Sequence, residues 1–431
     1  MPRPSPASGE GCTRRPSATA RAPSPTASPT SSATRNAPAA PASSMSPRST
    51  RPPTARSCEG CMRPVVGRRH EMVTLEGELQ KVAAGMGGAS GPGGMLQRAW
   101  DRVLETKPVL LILIGSDLSM MEALNSYGRP FHQRGREMVL GPLNPAEVGQ
   151  MLGLGPAEAF DAALVTGGLP LICAEWPHGA GLWDFLGEAL SDPVSALLVS
   201  AERSLAAEFP PQAQARAVLA AVGSGERTFT NIARAADGIG ATPLQRSLAL
   251  LMEKRIVAGE LPVSLRPSKD RRYRVTDPYL RFWLHLLGPS MDEIERGRGD
   301  LTLARIRENW TRWRGRAVEP LIRETLARML PDGRLPAARV VGGYWTRTND
   351  VEIDVVGADR APVAKELLFV GSIKWLEQAP FDRHDLAALH RHRAALTDQP
   401  LPVVAVSRSG VDCQGLDAVY GPDDLLAAWP L

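Results

Sequence analysis

The sequence predicts a multidomain α/β protein. Three observations carry that expectation: its 431 residues exceed one ordinary domain, 43% of them are hydrophobic, and continuous apolar runs alternate with segments of helical periodicity. Val109–Ile114, closed by Gly115-Ser116-Asp117, has the pattern of a buried parallel strand feeding a loop. The longest apolar stretch, Val109–Gly115, falls far short of the roughly 18 to 20 residues that a bilayer span needs, so no membrane segment is expected. Five cysteines and no secretory leader pattern at the start point to a cytoplasmic protein without disulfides.

Charge is unevenly distributed. Residues 1–64 hold nine Arg and two Glu against a formal +4 for the whole chain, which leaves the remainder at −3. Net basicity therefore belongs to the first segment, and any nucleic-acid patch on the folded part must be local. That segment, Pro, Ser, Ala, Thr and Arg with almost no large apolar residue, is expected to be a disordered tail, because it cannot bury enough surface to offset chain entropy. It reads as a solvated tail, as a basic arm for nucleic acid, or as codons upstream of a true start at Met45, Met62 or Met72. Cys58-Glu59-Gly60-Cys61 has CxxC spacing but no second pair and no His at finger spacing, so a closed zinc site is not expected.

Order is expected from Val65. Glu71–Ala84 carries Met72, Leu75, Leu79 and Val82 at helical spacing, and Met95–Glu105 presents Leu96, Ala99, Trp100 and Val103 on one face. Helices follow at Pro145–Leu154 and Ala157–Val165, before Gly167-Gly168-Leu169-Pro170 breaks the chain and further helix runs to about Glu208. Three more helical stretches, Gln212–Val222, Thr230–Ala236 and Pro243–Arg255, precede strand-like Ile256–Val263 and Arg271–Val275, with the charged turn Lys269-Asp270 between them. Three helices and a β-hairpin make a winged helix-turn-helix. A helical connector with Tyr279, Phe282, Trp283 and Leu286 on one face leads to the last block. There a helix (Ala317–Met329), three strands (Val340–Trp345, Val351–Val356, Glu366–Ile373), a helix (Leu386–Leu396) and a strand (Pro402–Ser407) form an α/β unit.

The last block carries the sharpest chemistry. Strand alternation puts Glu352 and Asp354 on one face, and likewise Ser372 and Lys374 on the next strand. With Glu319 on the preceding helix, this is the residue set that metal-assisted phosphodiester cleavage uses, the acids (Asp354 first) holding Mg²⁺ and the lysine positioning water. The winged helix offers Gln245, Arg246, Arg271, Arg272 and Arg274 to bases and phosphates, or serves as an interdomain spacer. His384, His390 and His392 fall away from the apolar face marked by Leu386, Leu389 and Leu396, and read as solvated positions.

These residues resemble the PD-(D/E)xK restriction-endonuclease-like fold. More widely, Gly315-Arg316-Ala317-Val318-Glu319, Glu352-Ile353-Asp354-Val355-Val356, Gly371-Ser372-Ile373-Lys374-Trp375 and Ser407-Arg408-Ser409-Gly410 resemble the C-terminal domain of archaeal-type AAA ATPases. Upstream, Val66-Gly67-Arg68-Arg69-His70-Glu71, Gly115-Ser116, Gly167-Gly168-Leu169-Pro170 and Tyr273-Arg274-Val275-Thr276-Asp277-Pro278-Tyr279-Leu280-Arg281-Phe282-Trp283 agree with it. After the tail (1–64) expected from composition, the resemblance implies a truncated P-loop AAA ATPase core with helical lid (65–211), a winged helix (212–280), a helical connector (281–311) and a restriction-endonuclease-like α/β domain (312–431).

Two departures shape the functional expectation. Relatives commonly carry Gly-Glu-Cys-Lys-Trp where this chain has Gly371-Ser372-Ile373-Lys374-Trp375, so a hydroxyl replaces a metal-binding carboxylate. The phosphate-cradling GxxxxGK[ST] loop is missing as well, since none of the six lysines follows a glycine and the Gly85–Gly94 run holds no lysine. The magnesium-holding acidic strand end is missing too, as if that segment had been deleted. Intact relatives bind and hydrolyse ATP with Mg²⁺. This chain is expected to require no cofactor, to keep Ser116 and Asp117 only as a vestigial nucleotide sensor, and to bind DNA or a protein. Self-association that completes the truncated sheet is a further expectation, and a Mg²⁺-dependent nuclease is the alternative.

Overall fold

The computed structural model describes residues 100–108, 110–111, 138, 140–209 and 213–431. The tail, Glu71–Ala84, Ser116, Asp117 and most of Val109–Ile114 lie outside the described residues, as do the expectations that rest on them. Within Met95–Glu105, Trp100–Leu104 forms one wide helical turn.

Helices fill the described residues from Pro145 to Glu208. Helix α1 (Pro145–Leu152) starts at Asn144, whose side chain accepts from the amides of Ala146 and Glu147 while Glu147 reaches back to the Asn144 amide. Helix α2 (Pro156–Thr166) ends at Gly167 and Gly168, both with positive φ, and a Cβ on Gly168 would stand 2.0 Å from the Leu143 carbonyl oxygen. Only glycine fits there, which explains the break that the sequence shows. Helices α3 (Pro170–Glu175), α4 (Leu182–Ser191) and α5 (Ala196–Glu208) complete this layer.

The chain then builds α6 (Gln214–Gly223), α7 (Phe229–Ala235), α8 (Ala241–Glu253) and an antiparallel hairpin, β1 (Val257–Glu260) with β2 (Arg272–Val275). Leu219, Ile232, Leu248 and Val275 share its core. Helix α9 (Pro278–Phe282) and wider turns to Ser290 follow, then α10 (Met291–Glu295). Tyr279 Oη donates to the Leu197 carbonyl and Trp283 Nε1 to that of Leu198, which ties this connector to α5.

Helix α11 (Gly299–Met329) is the spine of the molecule, 31 continuous residues where the sequence predicts a helical connector to 311 and a separate helix from Ala317. Trp310 and Trp313 stack on one another and meet Phe282 edge to face. Pro320 lies inside this helix and cannot donate to the Arg316 carbonyl.

A mixed five-stranded sheet closes the chain in the order β3-β4-β5-β7-β9. Its strands are β3 (Val340–Trp345), β4 (Glu352–Ala358), β5 (Leu367–Lys374), β7 (Val403–Ser407) and β9 (Ala418–Tyr420). The first three pair antiparallel and the last three parallel. Val355, Phe369 and Val404 join the core that contains Val318 and Ile322 of α11. Ile353, Val370 and Val403 pack in a second core with Leu389 of α12 (Arg383–Leu396). The short pair β6 (Phe381–Asp382) and β8 (Val411–Asp412), and helix α13 (Pro422–Ala427), complete the fold. No helix among the described residues is long and apolar enough to cross a membrane.

Candidate functional site

A β-bulge shapes the site. Gly342 pairs with Val356 but Tyr344 pairs with Ile353, so Asp354 and Val355 together face the single Gly343. Alternation holds as far as Asp354 and breaks after it, and Asp354 lines one small pocket with Glu352 from β4, Glu319 from α11 and Glu260 from β1. Six guanidinium groups reach the same pocket: Arg227, Arg272, Arg274, Arg281, Arg316 and Arg323. Of these, only Arg272 and Arg274 were singled out by sequence. The others come from elements distant in the chain, and Pro320 is the one local clue to Arg281, because it frees the carbonyl to which Arg281 donates at 3.2 Å.

Each acid is engaged inside the molecule. Asp354 Oδ2 accepts the Ser372 hydroxyl at 2.8 Å and the Ile373 amide at 2.9 Å. Glu352 pairs with Arg272 at 2.5 Å and lies 3.6 Å from Arg227. Arg272 also donates to Asn349 and lies over the Trp345 ring, whose Nε1 donates to the Asp270 carbonyl. Glu319 pairs with Arg323, and Glu260 with Arg274. Lys374 donates to Asp385 on α12 and does not line the pocket that holds Asp354.

The electrostatics follow from this packing. Burial pushes the Glu319 carboxyl up to about 7; Arg323 opposes the rise, while Asp354 and Glu352 add to it. Burial also raises Asp354, against the Ile373 amide, the Ser372 hydroxyl and Arg323. At Glu352 burial acts upward too, but the Arg272 hydrogen bond and the charges of Arg272 and Arg227 hold it below the usual carboxylate range.

Mg²⁺ does not fit this donor set. Glu352 and Glu319 already carry guanidinium partners, a hydroxyl and an amide occupy Asp354, and no group of three His, Cys, Asp or Glu among the described residues is arranged to hold a metal ion. No step is therefore derived through a metal.

The residues predicted to meet nucleic acid divide in two. Gln245 and Arg246 stand exposed on α8, whose opposite face buries Leu244, Ser247, Leu248 and Leu251, and Arg271 is exposed at the start of the hairpin's second strand. Arg272 is buried and Arg274 is tied to Glu260. The hairpin loop is stitched to the sheet, because the Val263 amide donates to the Gly343 carbonyl and the Ser264 amide to that of Pro362. Of the histidines, His384 is exposed, whereas His392 Nδ1 bonds the Glu352 carbonyl at 2.7 Å.

Comparisons with known proteins place this mixed α/β protein among relatives of undefined role. Residues 283–386, the connector, α11 and the sheet as far as α12, match a family described as archaeal and bacterial proteins of unknown function. An uncharacterised protein of Methanocaldococcus jannaschii is 23% identical over 288 residues, 65% of this chain and 63% of the relative. The chain thus spans less than two thirds of that relative's length. No solved structure matches.

Proposed function

We propose that this chain is a non-cleaving DNA-binding protein, an AAA-type relative that has lost its nucleotide site. In this reading α6, α7, α8 and the hairpin act as a winged helix, and the five-stranded sheet with α11 and α12 as a restriction-endonuclease-like domain. One contrast carries it. Gln245 and Arg246 are exposed with no hydrogen bond or ion pair among the described residues, whereas Glu319, Glu352, Asp354 and Lys374 are each committed to a partner inside the fold. Long polar side chains on the outer face of a third helix suit base edges and phosphates. Committed carboxylates do not suit metal-assisted hydrolysis.

The hydrolytic half is tested with supercoiled plasmid and Mg²⁺. The plasmid stays intact; nicking that disappears in Asp354→Ala would establish the nuclease instead. The nucleotide half is tested by calorimetric titration with a non-hydrolysable ATP analogue and Mg²⁺. No heat is expected at millimolar ligand, and saturable binding tighter than about 0.1 mM, roughly −5.5 kcal/mol, would restore the ATPase assignment.

A further inference from the structure

Next to the acid and arginine pocket lies a larger cleft of about 620 Å³, bounded by the hairpin, α11 and β3. That size lies within the range of small-molecule sites. Its walls are largely aliphatic, with Leu164, Leu261, Val275, Pro278, Leu321 and Val341 among them. Polarity comes from a few groups, namely Glu260, Arg274, Arg281 and Arg323, which also line the neighbouring pocket, with Thr276 and Glu324.

Among these groups Arg281 stands apart. Glu260 is already bound by Arg274 and Glu319 by Arg323, so Arg281 has no carboxylate at ion-pair distance among the described residues. Its side-chain hydrogen bond goes to the Arg316 carbonyl, the one that Pro320 leaves without a helical donor. A proline inside the spine of the molecule thus anchors one edge of a guanidinium and leaves its other donors for something else. Burial depresses the Arg281 pKa to about 10; Glu319 and, less, Glu260 offset part of this, and the charges of Arg274 and Arg227 deepen it. An anion arriving from solvent would relieve that unfavourable environment.

We propose that this cleft binds a small amphipathic anion, a carboxylate or phosphate head group on an aliphatic body, with Arg281 receiving the head group. The aliphatic walls take the body, and the planar fork of the guanidinium suits either head group. The cleft shares the hairpin and Arg274 with the module read as a winged helix, but Gln245 and Arg246 of α8, which carry the DNA reading, do not line it.

Calorimetric titration of the full chain with octanoate, octyl phosphate, octylamine and inorganic phosphate tests the assignment. One of the two amphipathic anions binds saturably at one site and octylamine does not. Inorganic phosphate, lacking the body, binds at least about tenfold more weakly. Arg281→Gln weakens the anion at least about tenfold, a loss of roughly 1.4 kcal/mol. Ala327→Trp, which fills the cleft from α11, abolishes binding with an unchanged circular dichroism spectrum. The proposal is overturned if neither amphipathic anion binds saturably, if octylamine binds as tightly, if inorganic phosphate matches the chain-bearing ligands, or if Arg281→Gln keeps the original affinity. Should Arg281→Gln fail to fold, Ala327→Trp decides alone, and undiminished binding in that variant rejects the cleft.

Discussion

Arg272 on the hairpin donates to Glu352 on the sheet at 2.5 Å, and the two residues lie 80 positions apart in the chain. The pair joins the hairpin to the five-stranded sheet. Arg272 is almost fully buried and Glu352 partly exposed, so the pair sits between a surface bridge and a buried one. Arg272→Met is expected to cost about 2 kcal/mol in urea denaturation. Arg272→Met and Glu352→Gln should also be non-additive when combined, because each removes the other's partner. Additive effects would mean that the hairpin is not held by this contact.

Arg314 is the least exposed charged residue among the described residues. It donates to Asp161 of α2 at 2.9 Å, to Glu377 and to the Trp375 carbonyl, while Arg408 lies 3.1 Å from the same Asp161 oxygen. Burial pushes the Asp161 carboxyl up against the pull of both arginines. Arg314→Met leaves buried Asp161 with only Arg408 and the Trp375 indole N–H as partners and should destabilise the chain by about 3 to 5 kcal/mol. A loss below about 1 kcal/mol in equilibrium unfolding would show that α2 and α11 are not clamped by this group.

Glu319 gives the molecule a pH signature. Its carboxyl titrates near 7 in the fold, against an ordinary value of 4.5. Between those values the native state holds a proton that the unfolded chain has released, so the stability this group contributes falls as pH rises through the window. Glu319→Gln keeps a neutral acceptor for Arg323 and removes the titration. Relative to the original chain, the variant should gain about 1 to 3 kcal/mol of stability between pH 5 and pH 8. Identical pH profiles for the two proteins would contradict the buried, acid-flanked setting of Glu319.

Two glycines separate strain from space. Gly168 and Gly179 both have positive φ, but a Cβ on Gly168 meets the Leu143 carbonyl oxygen at 2.0 Å whereas nothing lies within 4 Å of one on Gly179. Gly179→Ala should cost about 1 kcal/mol, the left-handed penalty alone. Gly168→Ala adds a backbone clash and should exceed 3 kcal/mol or prevent folding. Equal effects, read from thermal unfolding, would remove the close approach of residues 143 and 168.

Much of the architecture is legible before any coordinates. Asn144-Pro145 with Glu147, and Gly167-Gly168, mark helix ends by capping and by left-handed turns, and the predicted strands at residues 340–345, 351–356 and 366–373 lie within a residue or two of those observed. Ala418–Tyr420 and Pro422–Ala427 escaped notice because three strand residues and six helical ones are too few to show a period. The site was half legible. Glu319, Glu352 and Asp354 do line one pocket. Their partners could not be read, because Arg272 meets Glu352 through tertiary docking and Lys374 meets Asp385 on a helix that begins after a further strand. The bulge at Asp354 and Val355 leaves no mark in sequence beyond Gly343 on the opposing strand, but it leaves Glu352 and Asp354 together, as alternation predicts.

Equilibrium binding of a 30-base-pair DNA duplex in Mg²⁺ buffer, followed by fluorescence anisotropy from about 50 to 200 mM salt, tests the central claim most directly. The account predicts saturable, salt-dependent binding by the original chain, with the duplex intact afterwards. It also predicts weaker binding by Arg246→Ala with the logarithmic salt slope reduced by about one, as the loss of one phosphate contact requires. Absence of binding at 50 mM salt, or equal affinity and slope for the variant, would contradict it.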